Sequence, residues 1–369
     1  MRIVAHIDLD AFFAAIEERD RTRLRGLPIV VGADPEEGRG RGVVSTANYK
    51  AREYGIRSAL PIATAWRYSE AARRKGLAPA VFLGVDMEKY AEESRRVMGI
   101  VREVLGATAL VEEASVDEAF IDLSFAGTYL RAEAVAREVK RAIKERTGLT
   151  ASVGVGPNKL IAKIASDREK PDGFTLVREE DAEKFLEPLP IRTIPGVGPK
   201  TEARFRELRV RTVGDAKRFS REELTEMLGK WGAELYEKLR GRDESPLVTE
   251  WIAKSVGEQE TFPHDTHDPK FLRERLAALA AGVYARFAAE ARAGHFKSFR
   301  GVTITVRFAD FTTVTRAATL DEPVVARDPA ALQTLQFQAL RLFMPFLDRR
   351  ENPARKAFRL LGVRVEKLG

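Results

Sequence analysis

The chain is 369 residues long, too long for one ordinary core, so two to four domains are expected; 62 Lys and Arg against 55 Asp and Glu leave a formal net charge of +7. It has no Cys, which excludes disulfides and thiolate zinc sites, and four His, of which His264 and His267 are the sole close pair and read as loop. No apolar stretch reaches the roughly 18 residues of a membrane span, and Arg2, His6, Asp8 and Asp10 interrupt the first apolar run, so a soluble, unprocessed, cytoplasmic protein with no membrane partner is expected.

Residues 2–13 begin as a near-continuous apolar run, the mark of a buried central strand, and run into carboxylates at Asp8 and Asp10. An ionised Asp at the end of such a strand calls for a partner, because its burial is costly unless it is paired or metal-bound. Magnesium suits it, since that ion takes oxygens from one or two carboxylates and completes its shell with water and substrate phosphates. Residues 14–18 predict a short helix, 27–32 a strand and 34–42 a glycine- and charge-rich loop that opens a small mobile subdomain. In it Thr46, Tyr49 and Arg52 recur every three residues. On a helix they would present two hydroxyls and a phosphate-matching guanidinium on one face, although a solvated helix face has the same spacing.

From 81 to 153 strands and helices alternate, with amphipathic helices at 87–105 and 130–146, the second closed by Gly148. Residues 111–123 read as a hairpin with Asp117 and Glu118 at or near its tip. Asp8, Asp117 and Glu118 could then hold two cations about 3.5–4 Å apart, the arrangement used for in-line phosphoryl transfer. The plainer alternative is an Asp-Glu pair that polarises a solvent-facing turn. Residues 150–156 form a strand leading into a helix from whose start Lys159 can reach a phosphate. The segment lacks both the full dinucleotide fingerprint and the Walker spacing.

Residues 166–242 are helical and charged, and 189–200 resembles a helix-hairpin-helix turn. There Gly196 and Gly198 let backbone amides face outward ahead of a helix starting near Pro199 and Lys200, where the helix dipole favours a DNA phosphate. An ordinary tight helix connection is the alternative. Residues 241–247 have linker composition, and 254–258 restart a strand pattern. Helices at 272–291 and 330–346 alternate with strands at 301–308, 313–320 and 358–365, which predicts a sheet carrying two helices on one face. From Trp251 onward there are 19 basic and 13 acidic residues, so most of the net positive charge lies here. Either DNA phosphates or a merely Arg-rich solvated surface fits that balance; Lys297, Arg300, Arg307 and Arg316 are the candidates for phosphate contacts. There are no internal repeats.

Taken together and in order, residues 7–14 (IDLDAFFA), 45–52 (STANYKAR), 115–120 (SVDEAF) and 158–163 (NKLIAK) resemble the motif set of the Y-family translesion DNA polymerases, nearest the DNA polymerase IV (DinB) branch. The likeness covers essentially the whole chain. It implies an α+β multidomain fold, a right-hand polymerase with palm (1–10 and 78–165), fingers (11–77) and helical thumb with helix-hairpin-helix (166–242). A linker (243–252) and a C-terminal α/β little finger domain (253–369) follow. The implied activity is error-prone lesion-bypass DNA synthesis without proofreading, from dNTP to a primer 3′-hydroxyl, in DNA repair and damage tolerance.

The same resemblance assigns Asp8, Asp117, Glu118 and the Leu9 carbonyl to two Mg2+ ions, with Mn2+ as a substitute, and leaves open whether Asp10 joins the metal site or serves structure. It assigns Thr46, Tyr49, Arg52 and Lys159 to the triphosphate, and makes Phe13 the steric gate against a 2′-hydroxyl. Small Ser45 and Ala59 would leave room for a damaged template base, and Gly196, Gly198 and Lys200 would hold duplex DNA. The implied partners are primer-template DNA, dNTP and a sliding clamp, for a chain expected to be monomeric. Gln338 to Phe343 has a passing likeness to a clamp-docking peptide but lies inside an amphipathic helix, where core packing is the preferred reading. The rival functions are a two-metal nuclease, which uses the same acids but does not need the triphosphate set, and a non-catalytic DNA-binding scaffold.

Overall fold

The N-terminal apolar run forms β1 (Val4–Leu9), and in the computed structural model, which describes residues 1–106 and 109–369, this strand is buried at the centre of a five-stranded sheet. α1 (Phe12–Asp20) follows at once and buries Phe12, Ala14 and Ile16 in the core of that sheet, although residues from 11 onward were expected in the fingers. Next come β2 (Ile29–Gly32), β3 (Val44–Ala47), α2 (Tyr49–Glu53), α3 (Ile62–Arg74) and β4 (Val81–Leu83). β2 pairs antiparallel with β3 and parallel with β4, making a separate three-stranded sheet with its own small core. β4 therefore belongs with the small subdomain, past the boundary expected at 77. Phe82 holds it there, packed against Trp66 of α3 with ring centroids 5.5 Å apart.

The larger sheet takes the order β5-β6-β1-β7-β8, with β5 (Val111–Glu113), β6 (Glu118–Asp122), β7 (Ala151–Gly156) and β8 (Phe174–Leu176). Helices α4 (Met87–Leu105) and α5 (Tyr129–Thr147) bury apolar stripes in one core with Ala5, Ile7, Ala119, Ile121, Val153 and Val155 of the sheet. Strand alternation then puts His6, Asp8, Glu118, Phe120 and Ser152 together on the other face. That face is partly covered by α6 (Lys159–Ser166), which packs so closely that a Cβ on Gly154 would lie 2.1 Å from the Ala162 carbonyl oxygen. At Gly156 it would lie 2.7 Å from Ile161 Cγ2. Both glycines thus serve helix-on-sheet packing.

The helices α7 (Ala182–Leu186), α8 (Pro199–Glu207), α9 (Val213–Ala216), α10 (Arg221–Leu228) and α11 (Lys230–Lys238) share a core around Leu186, Ile194, Phe205, Leu224 and Leu235. Capping boxes at Thr212/Asp215 and Ser220/Glu223 start α9 and α10. Gly196 has φ +99°, and a Cβ there would press into Trp231 of α11 at 2.9 Å. Gly198 is the N-cap of α8 with open space around it. The α10–α11 hairpin is tighter still, since a Cβ on Gly232 would fall 1.8 Å from the Leu224 carbonyl oxygen.

Contacts divide the chain into two units, Met1–Arg39 with Val43–Glu250, and Gly40–Gly42 with Trp251–Gly369. The second unit holds a four-stranded antiparallel sheet, order β11-β10-β12-β9, from β9 (Ser255–Thr266), β10 (Ser298–Phe308), β11 (Thr313–Val325) and β12 (Phe358–Leu368). α12 (Pro269–Arg292) and α13 (Ala331–Leu347) bury their stripes with Val302, Ile304, Val306, Leu361, Val363 and Val365 of the sheet. By register Thr303, Thr305 and Arg307 of β10 share the opposite, open face with Thr313, Thr315 and Arg364. Arg316 does not, contrary to its expected place among the phosphate contacts. It pairs with Ile304, so it leans to the helix side, where its Nε lies 2.9 Å from Glu351 Oε1. Phe343 and Ala339 are fully buried, so the stretch that likened itself to a clamp peptide is core. Among the described residues no helix is long and apolar enough to cross a membrane.

Candidate active site

Asp8 of β1 stands directly opposite Glu118 of β6, and both carboxylates point off the sheet face that α6 covers only in part. Their side chains are 13% and 27% exposed. Each is met by a lysine: Lys170 Nζ lies 2.7 Å from Asp8 Oδ2, and Lys163 Nζ lies 2.7 Å from Glu118 Oε1. Burial nevertheless pushes Asp8 up to about 7, with the neighbouring Glu118 adding to the rise and Lys170 opposing it. Glu118 moves the other way: burial works against it, but the hydrogen bond and charge of Lys163 hold it below the usual carboxylate range. The two acids are thereby set apart, one reluctant to ionise and one eager.

Asp117 sits in the turn between β5 and β6. Its carboxylate accepts from Ser115 Oγ at 2.6 Å, and its carbonyl oxygen accepts the Leu9 N–H at 2.9 Å, which ties the turn to the end of β1. β5 is shorter than the sequence predicts, ending at Glu113, because residues 114–117 are spent on this turn. Asp10 is 4% exposed and accepts from Ser152 Oγ (2.8 Å), Tyr49 Oη (3.3 Å) and the Asp172 N–H (2.8 Å). Three donors thus meet that acid.

Among the described residues no three acidic or imidazole groups come close enough to cage a metal by themselves. Magnesium does not need such a cage, being held by one or two carboxylates with water and substrate phosphates making up the rest. Asp8 and Glu118, oxygen-only, sheltered and directly opposed, fit that donor chemistry.

Of the expected triphosphate residues, Tyr49 and Arg52 lie one turn apart on α2, with the Arg52 guanidinium carbon 4.4 Å from the Tyr49 ring centroid. Thr46 is on β3 and does not share a helix face with Tyr49 and Arg52, because Asn48 caps α2 after the strand ends. Burial and the nearby Asp10 push the Tyr49 hydroxyl up to about 12, so it is a donor at neutral pH. Lys159 at the start of α6 is engaged by both Glu112 oxygens at 2.7 Å and lies 4.7 Å from the Phe120 ring centroid. Phe13 follows Ala11, whose φ of 47° makes the abrupt turn from β1 into α1. Phe12 faces the core and Phe13 is half-buried, its ring stacked 4.2 Å from Tyr90.

Several residues near the site were not found by sequence reasoning. Lys163 had a signal, since it lies four residues past Lys159 and hence on the same helix face. Lys170, Glu112 and Tyr90 had none, because each is brought in by tertiary packing alone. His6 is fully buried and lies on the Asp8 face, its Nδ1 2.8 Å from Ser166 Oγ. Ser166 Oγ donates to the Lys163 carbonyl, so the His6 Nδ1 carries the proton and Nε2 is bare. Burial, with Lys163 adding to it, pulls His6 down to about 3, so its 3.9 Å approach to Glu118 is no ion pair at neutral pH.

Comparison with known proteins assigns this architecture. Residues 7–167 match the impB/mucB/samB family, residues 253–369 match that family's C-terminal domain, and residues 192–243 match the thumb domain described for DNA polymerase-iota. The chain is 41% identical to DNA polymerase IV of Methanoculleus marisnigri, over 100% of this chain and 94% of that protein. It is 36% identical to DNA polymerase IV of Streptococcus mutans, over 100% of this chain and 92% of that one. Among solved structures, a Y-family DNA polymerase chimera built on Dbh superimposes with TM-score 0.82 at 27% identity, covering 99% of each chain. An insertion ternary complex of Dbh DNA polymerase does so with TM-score 0.66 at 26% identity, again over 99% of each.

Proposed function

The chain belongs to the impB/mucB/samB family, the Y-family DNA polymerases, which carry out template-directed, error-prone DNA synthesis past lesions, and we propose that it does so with Asp8, Asp117, Glu118 and the Leu9 carbonyl as ligands of two Mg2+ ions. It is a right-hand polymerase, a metal-dependent DNA-directed DNA polymerase of DNA repair and damage tolerance. The observation that carries the ligand reading is the register that sets Asp8 opposite Glu118 at the open end of the sheet face.

In the reaction the primer 3′-hydroxyl attacks the α-phosphorus of the incoming dNTP and pyrophosphate leaves. Bound divalent cations supply charge neutralisation on the triphosphate and make the 3′-hydroxyl easier to deprotonate. The chain's own residues do the rest. The Tyr49 hydroxyl donates to a phosphate oxygen, Arg52 offers its planar fork to two of them, and Thr46 adds a second hydroxyl from β3. Lys159 exchanges Glu112 for the triphosphate, and the Phe13 ring fills the space of a ribose 2′-hydroxyl. The partners are primer-template DNA and dNTP, engaged by one copy of the chain. Gly196, Gly198 and Lys200 meet duplex phosphates through backbone amides and one ammonium, and Lys297, Arg300 and Arg307 do so from the second unit. A sliding clamp, if it docks, uses a surface other than the buried Phe343.

Primer extension on undamaged and damaged templates with Mg2+ tests this reading. Asp117→Ala and Glu118→Ala should each lower extension by about three or more orders of magnitude while primer-template affinity changes less than roughly threefold, because other regions hold the DNA. Extension without strand cleavage by the parent separates polymerase from nuclease. Normal extension by either variant would refute this site assignment.

A further inference from the structure

Two lysines outside the expected triphosphate set hold the two acids that face each other across β1 and β6: Lys170 on Asp8 and Lys163 on Glu118. Lys163 rides on α6 one turn beyond Lys159. Lys170 stands on the short connection from α6 to β8, and that connection is pinned. The Asp172 N–H donates to Asp10 Oδ2 at 2.8 Å, the Gly173 N–H to Ser152 Oγ at 3.2 Å, and the Val153 N–H to the Gly173 carbonyl at 3.1 Å. A Cβ at Gly173 would come within 2.4 Å of the Glu169 carbonyl oxygen. The backbone beneath Lys170 is thus held, while its long flexible stem leaves the ammonium free to choose a partner. A second partner is within reach: Asp167 Oδ1 is also 2.7 Å away, on a side chain 57% exposed where that of Asp8 is 13% exposed. An ammonium shared between a sheltered and a solvated carboxylate can leave the first without being stranded.

We infer that Lys170 is a positioning residue of the catalytic centre, its ammonium exchanging with a divalent cation for the Asp8 carboxylate and retiring to Asp167 when the cation binds. This rests on Asp8 being a cation ligand. An ammonium at 2.7 Å and a divalent ion at about 2 Å from one carboxylate repel each other strongly, so the two compete. The apparent cation affinity is then reduced by the fraction of molecules in which Lys170 has let go of Asp8. An ion pair that serves only the fold behaves differently: its removal leaves Asp8 less well placed, and cation binding weakens or stays the same.

Binding of Mn2+ alone to the whole chain, followed by electron paramagnetic resonance at fixed ionic strength with circular dichroism as the check on folding, separates the two. Asp8→Asn identifies the site by the binding it removes. Lys170→Gln is expected to tighten that site roughly three- to tenfold, and Lys170→Arg to leave it close to the parent. Asp167→Asn, which takes away the second seat without touching Asp8, is expected to weaken it, and this arm stands even if Lys170→Gln does not fold. Unchanged or weaker Mn2+ binding in folded Lys170→Gln, or unchanged binding in Asp167→Asn, overturns the exchange while leaving Asp8 a ligand. Unchanged binding in Asp8→Asn overturns the ligand assignment and the exchange with it.

Discussion

The ring of Phe13 lies 4.2 Å from the ring of Tyr90, with only 12° between their planes. Tyr90 is itself fully buried, and its hydroxyl donates to the buried Glu17 at 3.0 Å. The aromatic wall expected to exclude a 2′-hydroxyl is therefore backed by a second, buried and hydrogen-bonded ring. Phe13→Ala should keep deoxynucleotide insertion within about tenfold of the parent and raise ribonucleotide insertion by a factor on the order of a hundred. Tyr90→Leu, which removes the backing and not the gate, should raise it by a smaller factor, roughly three- to tenfold, and Tyr90→Phe hardly at all. Single-nucleotide insertion with matched ribo- and deoxynucleotides reads all three. If Phe13→Ala discriminates as well as the parent, Phe13 is not the gate.

Asp8 titrates far above its ordinary value of 3.8, near 7, chiefly because it is buried. The folded chain consequently holds a proton that the unfolded chain has already released, so the contribution of Asp8 to stability is lost as pH rises from about 4 through 7. With divalent cations chelated, Asp8→Asn should gain on the parent across that window by more than about 1 kcal/mol and run parallel to it above pH 8. Denaturant midpoints at half-unit pH steps measure this. A constant gap between the two proteins from pH 4.5 to 8 would place the raised titration elsewhere.

The thumb glycines differ in kind. Gly232 admits no side chain, because a Cβ there would overlap the Leu224 carbonyl, while Gly198 has nothing within 4 Å of that position. Gly232→Ala should cost about 2–4 kcal/mol by forcing α10 and α11 apart, and Gly198→Ala less than about 1 kcal/mol. Urea unfolding gives both numbers. Equal effects of the two substitutions would contradict the close helix crossing.

Arg307 and Arg316 look equivalent in the sequence and are not so in the sheet. Arg307 pairs with Thr313 on the open face, its Nε 2.8 Å from Thr313 Oγ1, whereas Arg316 turns to the helices and Glu351. Arg307→Ala is expected to weaken primer-template binding a few-fold and to reduce the slope of log affinity against log salt by about one, with Arg316→Ala leaving that slope unchanged. Salt titrations of fluorescently labelled primer-template distinguish them.

Much of the fold could be read before any coordinate. The 87–105 helix is met to the residue by α4, and the 111–123 hairpin and the two long C-terminal helices are where their periodicity puts them, because each depends on apolar spacing within its own segment. Where the reading failed, a local rule had been stretched past a cap or an edge. The shared face that a helix would give Thr46, Tyr49 and Arg52 is broken because Asn48 begins α2 after Thr46, and Val81–Leu83, inside the expected palm range 78–165, pairs with β2 of the small sheet, with Phe82 against Trp66.

The sequence by itself determined that acids end a buried strand, that an Asp-Glu pair lies at the tip of a hairpin, and that these occur in polymerase order, with hydroxyls and a guanidinium between them and a lysine after them. Only the tertiary structure decided what those acids meet. Register on a period of two puts Asp8 opposite Glu118, and it turns Arg316 away from the open face of its sheet. The pinned turn after α6 delivers Lys170 to Asp8, and the packing of α4 against α1 delivers Tyr90 to Phe13. Such pairings join residues far apart in the chain, with no repeat that marks the partner in advance; they are settled by where each backbone is held, and the backbone is held by the whole core.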